Sequence, residues 1–316
     1  MIAPSVLRRF AGDLARVWPE GIGKDAKLGI AVSGGPDSLA LLALAAEVLP
    51  GRIAAATVDH GLRPGSAAEA DMVAQVCRTR EVAHATLPII LAAGNVQAEA
   101  RTARYDALAG WAKSKELAAI ATAHHADDQA ETLLMRLNRG SGLAGVAGVR
   151  PRVRFPNGLT VVRPLLDWRK AELEAVCEGC GLTPARDPGN NDAQFDRVAM
   201  RQLLMANPLL DPQALARSAA HLAEAEEALE GWLELRWRED VSKGCDGLLY
   251  RPHGPRHVRL KLLDRAIASF GGCPRGSALA ALLDRLETGE GGNIAGVQVT
   301  PVTDGWLLRP EQPRRA

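Results

Sequence analysis

A turn rich in glycine and serine follows the first strongly apolar segment of the chain. Residues 27–32 have the pattern of a short buried strand and residues 39–49 that of an apolar helix, and between them lie Ser33, Gly34, Gly35, Pro36, Asp37 and Ser38. Glycine lets the backbone approach a ligand closely, and proline suits the first turn of a helix. The free amide groups and the dipole of that helix start favour an anion. The turn therefore predicts a phosphate site, although it lacks the glycine-to-lysine order of a Walker loop.

A second polar cluster follows the apolar residues 117–123. It contains His124, His125, Asp127, Asp128 and Glu131. On a helix Glu131 shares a face with either aspartate, because residues three and four apart are neighbours. These acids predict an anionic pocket that could hold Mg²⁺ or a substrate ammonium group. The structural alternative is that Asp128 caps the helix and Glu131 reaches back to it.

Two further segments carry candidate ligand residues. Asp59 and His60 end the second apolar run, where an adenosine would lie beside the phosphate turn and His60 could assist proton or phosphate handling. Arg104 and Tyr105 lie in a helix predicted over residues 95–115 and could reach phosphate or RNA. The alternatives are a structural histidine at a strand end and an arginine on a solvated helix face.

Alternating strands and helices must position these residues. Apolar runs predict strands near residues 27–32, 52–59, 83–91, 117–123 and 159–163, with helical patterns between them. This alternation predicts an α/β fold with a five-stranded parallel sheet, doubly wound, with helices on both faces. Ligands bind such sheets beyond the carboxyl ends of the strands. Because the phosphate turn, Asp59 and the acid cluster all follow strand ends, the sequence predicts one site.

Composition and helix breakers set the domain organisation. The chain has 316 residues, of which 47% are apolar and 24% charged, as expected for a globular enzyme. Breakers at Pro208 and Pro212 predict a first domain over residues 1–210 and a small, mainly helical domain over 211–316, with short strands near 247–251 and 296–300. We expect no transmembrane helix and no signal peptide, because no apolar run is long enough. The five scattered cysteines favour a reducing cytoplasm.

The charge distribution is uneven although the net charge is only +1. Residues 136–170 contain eight basic residues and one acid, and residues 251–261 contain four basic residues, two histidines and no acid. Such local basic surfaces are typical of proteins that bind a particular polyanion. The alternative is that the arginines are solvated or paired with distant acids.

Two familiar spacings do not fit their usual function. Residues 140–145 match Gly-x-Gly-x-x-Gly, but they follow a predicted helix instead of a strand, so we interpret them as a helix end and a flexible basic loop. Cys177 and Cys180 have zinc-like spacing without a second pair, and the two histidines with two aspartates lack further spaced ligands. We therefore expect neither zinc nor an iron–sulfur cluster.

Taken in order, these segments resemble the tRNA(Ile)-lysidine synthases, a family of N-type ATP pyrophosphatases with a PP-loop. The resemblance is carried by residues 33–38, 58–63, 95–105, 123–132, 139–142, 163–166 and 187–207. It implies an adenine nucleotide α-hydrolase-like fold over about residues 25–210 and is weak beyond them. The chain looks like the shorter members of the family, which lack the large second C-terminal domain.

The resemblance implies a ligase that uses ATP, Mg²⁺, L-lysine and isoleucine tRNA with a CAU anticodon. The wobble cytosine O2 attacks the α-phosphate, pyrophosphate leaves, and lysine then displaces AMP at C2, which changes the codon read from AUG to AUA. The implied ATP-binding residues are Ser33, Gly34, Gly35, Pro36, Asp37, Ser38, Asp59 and His60. Asp37 is also the Mg²⁺ ligand, and the implied catalytic residues are Asp37, His124, Asp127, Asp128 and Glu131. The implied RNA-binding residues are Arg104, Arg139, Arg150, Arg152 and Arg201, assisted by the C-terminal domain, and a homo-oligomer is possible.

Two other functions stay open at this point. A tRNA 2-thiocytidine synthetase shares the pyrophosphate loop, but those enzymes carry a Cys-x-x-Cys just upstream of the His-Asp-Asp segment, and residues 105–123 here contain no cysteine. A non-catalytic nucleotide-binding or RNA-binding protein would bind ATP without releasing pyrophosphate. An assay of pyrophosphate release with and without tRNA and lysine separates these cases.

Overall fold

The chain divides into two compact units, Met1–Ala223 and Glu224–Ala316. The computed structural model describes residues 1–22, 25–59, 66–89, 96–185 and 196–311. The division lies inside a long helix, Pro212–Asp240, and not at the breakers where the sequence predicts a boundary. Pro212 is the first residue of that helix, where a proline is favoured. The proline therefore starts the helix without ending a unit.

The first unit alternates strands with helices. Its strands are β1 (Lys27–Ala31), β2 (Ile53–Asp59), β3 (Ala83–Pro88), β4 (Leu117–Ala121), β5 (Arg152–Arg154) and β6 (Thr160–Val162). Its helices are α1 (Pro4–Val17), α2 (Pro19–Ile22), α3 (Pro36–Val48), α4 (Ser66–Thr79), α5 (Val96–Ser114), α6 (Ala126–Asn138), α7 (Leu143–Val146), α8 (Lys170–Gly179) and α9 (Asp196–Ala206), followed by α10 (Pro212–Asp240).

The sheet of this unit has the order β3-β2-β1-β4-β6-β5. Its first five strands pair in parallel, which confirms the doubly wound parallel fold. The sixth strand, β5, pairs antiparallel with β6 and was not predicted. Its residues Arg152–Arg154 alternate two exposed arginines with one half-buried valine, so they form no apolar run.

Two apolar cores cover the two faces of this sheet. On one face, Leu28 and Ile30 pack in a cluster with α1, α3 and α8. On the other, Ile120 and Val161 pack with Leu108 and Trp111 of α5. The residues of α3 from Ser38 to Ala45 are all buried, as expected for a helix that is apolar on every side. The start of α3 is therefore rigidly held at the edge of the sheet.

The second unit combines helices with an antiparallel sheet. Its helices α11 (Arg256–Ala268) and α12 (Gly276–Glu287) follow the end of α10. Its strands β7 (Val241–Gly244), β8 (Gly247–Tyr250), β9 (Gly292–Ile294), β10 (Val297–Val302) and β11 (Gly305–Pro310) form a sheet with the order β7-β8-β11-β10-β9. The two predicted strands correspond to β8 and β10. The other three were not predicted. β7 and β9 are short strands with few apolar residues, whereas β11 carries the apolar run Trp306–Leu308.

No helix among the residues that the structure describes is both long enough and apolar enough to cross a bilayer.

Candidate active site

The turn between β1 and α3 is built around the hydroxyl group of Ser38. This buried hydroxyl accepts hydrogen bonds from the amide of Ser33 (3.1 Å) and the hydroxyl of Ser33 (3.2 Å), and it donates to the carbonyl of Gly35 (3.0 Å). Gly35 is the N-cap of α3 and makes no side-chain cap bond. The first amide groups of α3 therefore have no side-chain acceptor, as a phosphate cradle requires.

Gly34 has the backbone conformation that the turn needs. Its φ angle is +87°, a region that side chains disfavour. A Cβ atom placed there would lie 3.2 Å from the Met72 side chain of α4, and the amide of Ala185 donates to the Gly34 carbonyl (3.0 Å). The Met72 side chain and the Ala185 amide therefore both lie against the turn at Gly34.

A cavity of about 220 Å³ lies above this turn. We call it the nucleotide cavity. It is lined by residues of the turn, of β2, of α5, of α9 and of the segment after β4, among them Ser33, Asp37, Val58, Arg104, Tyr105, His124, Asp128 and Arg197. The structure thus brings the phosphate turn together with His124 and Asp128 in one cavity, which Asp127 and Glu131 do not line. Asp59 ends β2 without lining this cavity, and His60 lies outside the described residues.

His125 joins the turn to the acid cluster. This side chain is only 5% exposed, and its Nε2 lies 3.5 Å from Asp37 Oδ2 and 3.6 Å from Asp128 Oδ2. Its Nδ1 lies 3.6 Å from Asp127 Oδ2. Burial alone would lower the pKa of His125, but the surrounding carboxylates raise it to about 10. His125 is therefore an imidazolium at neutral pH that links α3 to α6.

The N-cap of α6 differs from the predicted one. The cap residue is His125, whose amide donates to Asp128 Oδ2 (3.1 Å). The reverse contact, from the Asp128 amide to His125 Nδ1, is 3.4 Å long, and a protonated ring cannot accept it. The prediction that Asp128 caps the helix and Glu131 reaches back is wrong, because the N-cap residue is His125, one turn earlier, and Asp128 is the residue that reaches back.

His124 differs from its neighbour in charge. Its Nδ1 lies 3.0 Å from the hydroxyl of Thr122. Burial lowers the pKa of His124 to about 4 against the opposing effect of Asp128, and the nearby Arg163 and Arg197 lower it further. The ring is therefore neutral at pH 7, and its Nε2 is left for a ligand in the nucleotide cavity.

Asp127 is held by the start of α8. Its carboxylate accepts hydrogen bonds from the Arg169 guanidinium (3.1 and 3.2 Å) and from the amide of Lys170 (2.8 Å). Burial alone would raise the pKa of Asp127, but His125, Arg169 and the Lys170 amide hold it well below its usual range. Asp127 therefore carries a fixed charge that ties α6 to α8.

Glu131 is the most buried of the acids. Its side chain is 2% exposed, and its two oxygens lie 3.1 Å from Arg197 Nε and 2.7 Å from Arg201 Nε. Arg197 also lies 3.8 Å from Asp128 Oδ1. The sequence predicts an anionic pocket, whereas the structure shows carboxylates that are already paired with cations. The cluster therefore carries far less negative charge than its acids alone suggest.

A second cavity, of about 430 Å³, lies beside this network. We call it the zwitterionic cavity, because acids, arginines and apolar side chains all line it. Its lining includes Asp127, Glu131, Arg169, Arg201, Leu204, Met205, Leu210 and Pro212. It could accommodate a small amphoteric ligand with an aliphatic chain.

Asp37 is suited to a hard cation. Its Oδ1 is buried without a hydrogen-bond partner among the described residues, while its Oδ2 faces His125. A carboxylate oxygen beside a phosphate cradle is a ligand that Mg²⁺ prefers. The described residues contain no group of three or more His, Cys, Asp or Glu side chains arranged to hold a metal. A cation at Asp37 would therefore need ligands from the nucleotide.

The predicted RNA-binding arginines differ in their surroundings. Arg104 is exposed and lines the nucleotide cavity, and Arg201 is engaged by Glu131. Arg152 forms a two-bond ion pair with Glu20 (2.5 and 2.9 Å). Arg150 is half-buried, and its guanidinium has no ion pair within the described residues. Arg139 is exposed at the end of α6.

No function was predicted for Arg169 or for Arg163, which is 2% exposed. Both are basic residues in a stretch with few acids, so their positive charge could be predicted from the sequence. Their hydrogen-bond partners could not be predicted, because those partners lie on other segments of the chain.

A strand, turn and helix start that share one cavity with His124 and Asp128 in a doubly wound domain are typical of nucleotide-binding domains of the PP-loop class. The family model of the PP-loop domain matches residues 7–207. The U34-tRNA thiolase of Methanococcus maripaludis has a similar fold, with a TM-score of 0.57 and 16% identity over 70% of this chain and 81% of that chain.

Sequence relatives identify the particular family. A tRNA(Ile)-lysidine synthase of Novosphingobium aromaticivorans is 46% identical over 304 residues, which cover 94% of this chain and 91% of the relative. Those of Zymomonas mobilis (42% identity, 84% of this chain and 82% of the relative) and Ruegeria pomeroyi (39%, 85% and 68%) are also similar. The chain belongs to the tRNA(Ile)-lysidine synthases, ATP-dependent ligases of the PP-loop class, and the predicted resemblance is confirmed.

Proposed function

We propose that this protein attaches L-lysine to C2 of the wobble cytidine of isoleucine tRNA with a CAU anticodon, and converts ATP to AMP and pyrophosphate. The observation that carries the proposal is that the phosphate turn and the His124–Asp128 segment line one cavity and are joined through His125. A nucleotide bound at the turn then has its reacting phosphate beside these side chains.

The phosphate turn serves the leaving pyrophosphate. Its amide groups and the Ser33 hydroxyl are held in place before the reaction, where negative charge develops on the departing phosphates. Asp37 holds Mg²⁺ through its unpartnered oxygen, and the ion, when bound, supplies further positive charge to the phosphates. The Asp37–His125 contact (3.5 Å) keeps this carboxylate in position.

The neutral ring of His124 serves the attacking base. The cytosine must leave its stack so that its O2 can reach the α-phosphate. His124 lines the cavity and carries no charge. It can therefore form a hydrogen bond with the base without attracting the phosphates as a charged ring would. Asp128, on the same wall, stays ionised, because His125 and Arg197 outweigh its burial and lower its pKa.

L-lysine occupies the zwitterionic cavity. Arginines and carboxylates suit its α-carboxylate and ammonium groups, and Leu204 and Pro212 offer apolar surface to its carbon chain. This assignment keeps Asp127 and Glu131 as lysine ligands, with Arg169 and Arg201 as their counter-charges. Asp128 lines the nucleotide cavity instead.

The tRNA lies along the arginine-bearing loop after α6, at Arg139 and Arg150, with Arg104 near the reacting base. The second unit assists by contacting more distant parts of the tRNA. We place the reaction in the cytoplasm, because all five cysteines are free thiols and so suit a reducing compartment.

Purified protein with ATP and Mg²⁺ tests the proposal. Pyrophosphate should be released only when the CAU tRNA is present, and lysidine should be detected by mass spectrometry of the tRNA only when L-lysine is added. A thiolase would need a sulfur donor to modify the tRNA, and a binding protein would retain ATP without releasing pyrophosphate. Either result would contradict the proposed reaction.

A further inference from the structure

Helix α6 is joined to the segment after α7 by a side chain that the proposed mechanism does not use. Gln129 is 4% exposed. Its Nε2 donates to the carbonyl of Val149 (2.8 Å), and its Oε1 accepts from the amide of Val149 (2.6 Å). A buried amide that satisfies both backbone groups of one residue acts like a neighbouring strand. We call this pair the Gln129–Val149 clamp.

The clamp joins the end of a loop to the helix from which the loop begins. The chain leaves α6 at its last residue, Asn138, and returns to the first turns of the same helix at Val149. The closed loop, residues 139–148, begins with Arg139, and Arg150 follows directly after the clamp. Both arginines are RNA-binding candidates, and we call residues 139–150 the basic loop. The clamp therefore determines where this loop lies relative to α6.

Gly148 is matched to the clamp. Its φ angle is +68°, which disfavours any side chain. A Cβ atom on Gly148 would lie 2.5 Å from Gln129 Oε1, which is far inside the normal contact distance. The close approach of the loop to α6 therefore depends on both residues.

Arg163 fixes the residues that follow. Its amide donates to the carbonyl of Pro151 (2.8 Å), and its Nη1 donates to the carbonyl of Arg150 (2.5 Å). The carbonyls of residues 149, 150 and 151 are therefore all held, by Gln129 of α6 or by Arg163 after β6. The Arg150 side chain extends from a backbone that is fixed relative to α6.

We propose that Gln129 is a positioning residue for the tRNA reaction. It holds the basic loop at a fixed distance from its chain neighbour Asp128, so that a tRNA bound by the loop presents its base to the nucleotide cavity. Gln129 does not itself line that cavity. The inference rests on the proposed function, because it assigns Arg139 and Arg150 to the tRNA.

The test compares Gln129→Met with the wild type. Methionine has nearly the same length and volume but forms neither hydrogen bond. KM for tRNA should rise about tenfold, as expected when a substrate is displaced by a fraction of an ångström, while KM for ATP should stay within about twofold. Hydrogen–deuterium exchange of residues 139–152 should become faster, while that of β1 and α3 should not change. Gln75→Met is the control, because Gln75 is an exposed helical glutamine of α4.

Gly148→Ala tests the same clamp from its other partner. It should give the same selective rise in KM for tRNA and the same faster exchange, and it replaces Gln129→Met if that variant does not fold. Unchanged exchange in residues 139–152, or an equal change in both KM values, would overturn the inference. If the wild type modifies no tRNA, the proposed function fails, and the exchange measurement still decides whether the clamp holds the loop.

Discussion

At the scale of single residues, the acids of the site differ in what neutralises them. Asp127 is paired with Arg169, and Glu131 with Arg197 and Arg201. Asp37 is the acid whose carboxylate keeps a buried oxygen without a hydrogen bond among the described residues while facing the nucleotide cavity. A site whose acids lie beside arginines and a histidine repels a triphosphate much less than the same acids would alone. The pairing therefore allows ATP to bind beside a carboxylate cluster.

The neutral charge of His124 gives a first prediction. Its pKa of about 4 lies below the ordinary value of about 6.5. Between these two values the unfolded chain binds more protons than the folded chain, so the folded state loses stability as the pH falls through this window. His124→Gln should reduce the difference in unfolding free energy between pH 7 and pH 5 by on the order of 1 kcal/mol. Urea denaturation at the two pH values measures it, and equal differences in both proteins would contradict the charge assignment.

The burial of Glu131 gives a second prediction. Glu131→Gln leaves Arg197 and Arg201 without their shared carboxylate. We expect a loss of about 2 kcal/mol in the free energy of unfolding, less than for a fully buried pair because both arginines are partly solvated. KM for lysine should rise in the same variant. Urea denaturation and lysine titration measure the two effects.

Glu227→Gln is the matched control, since Glu227 is exposed on α10. It should change the unfolding free energy by less than about 0.5 kcal/mol. An unchanged KM for lysine in Glu131→Gln would remove Glu131 from the proposed lysine site.

The residues of the site could be predicted from the sequence better than their pairing could. Asp37, His124 and Asp128 follow strand ends, so the rule for parallel sheets places them together. The partners of Asp127 and Glu131 lie 42 and 70 residues further along the chain. No local pattern encodes such a contact, because it depends on how α8 and α9 pack against α6.

At the scale of elements, the phosphate turn depends on one hydroxyl group. Ser38 accepts two hydrogen bonds from Ser33 and donates one to Gly35. Ser38→Ala should therefore loosen the turn and weaken ATP binding about tenfold, the combined effect of losing two or three hydrogen bonds. Isothermal titration calorimetry with ATP measures this change.

Ser114→Ala is the control for this prediction. The Ser114 hydroxyl donates to a backbone carbonyl at the end of α5 and does not line the nucleotide cavity. ATP should bind this variant as it binds the wild type. Wild-type affinity in Ser38→Ala would show that the hydroxyl does not shape the turn.

Apolar runs located most strands of the first unit, including β6 with its three residues, but not β5. The central strands β1, β2 and β4 and helix α3 carry apolar runs, which burial on both faces of the sheet requires. β5 has three residues, two of them exposed arginines, so its strand conformation follows from its antiparallel pairing with β6. No apolar run in β5 indicates this pairing.

At the scale of the whole molecule, the charge is less concentrated than the sequence suggests. In the second unit, Arg256 pairs with Asp284, and Arg259 lies 3.0 Å from Glu287. The basic stretch of residues 251–261 is therefore partly neutralised by acids of α12, which lie far along the chain. The contribution of this stretch to tRNA binding stays a prediction. In the first unit, two neighbouring arginines differ more clearly in whether they are paired.

These two arginines are Arg150 and Arg152. Arg150 has no ion pair within the described residues, whereas Arg152 already forms two hydrogen bonds with Glu20. Each arginine that contacts a phosphate releases counterions, so its removal lowers the slope of log K against log salt by about one. Arg150→Ala should therefore weaken tRNA binding and reduce this slope by about one. Arg152→Ala should change both less, because its charge is partly neutralised before tRNA binds. Filter binding of tRNA between about 50 and 200 mM salt measures both slopes, and a larger effect at Arg152 than at Arg150 would show that the tRNA contacts β5 at Arg152 and not the backbone segment at Arg150.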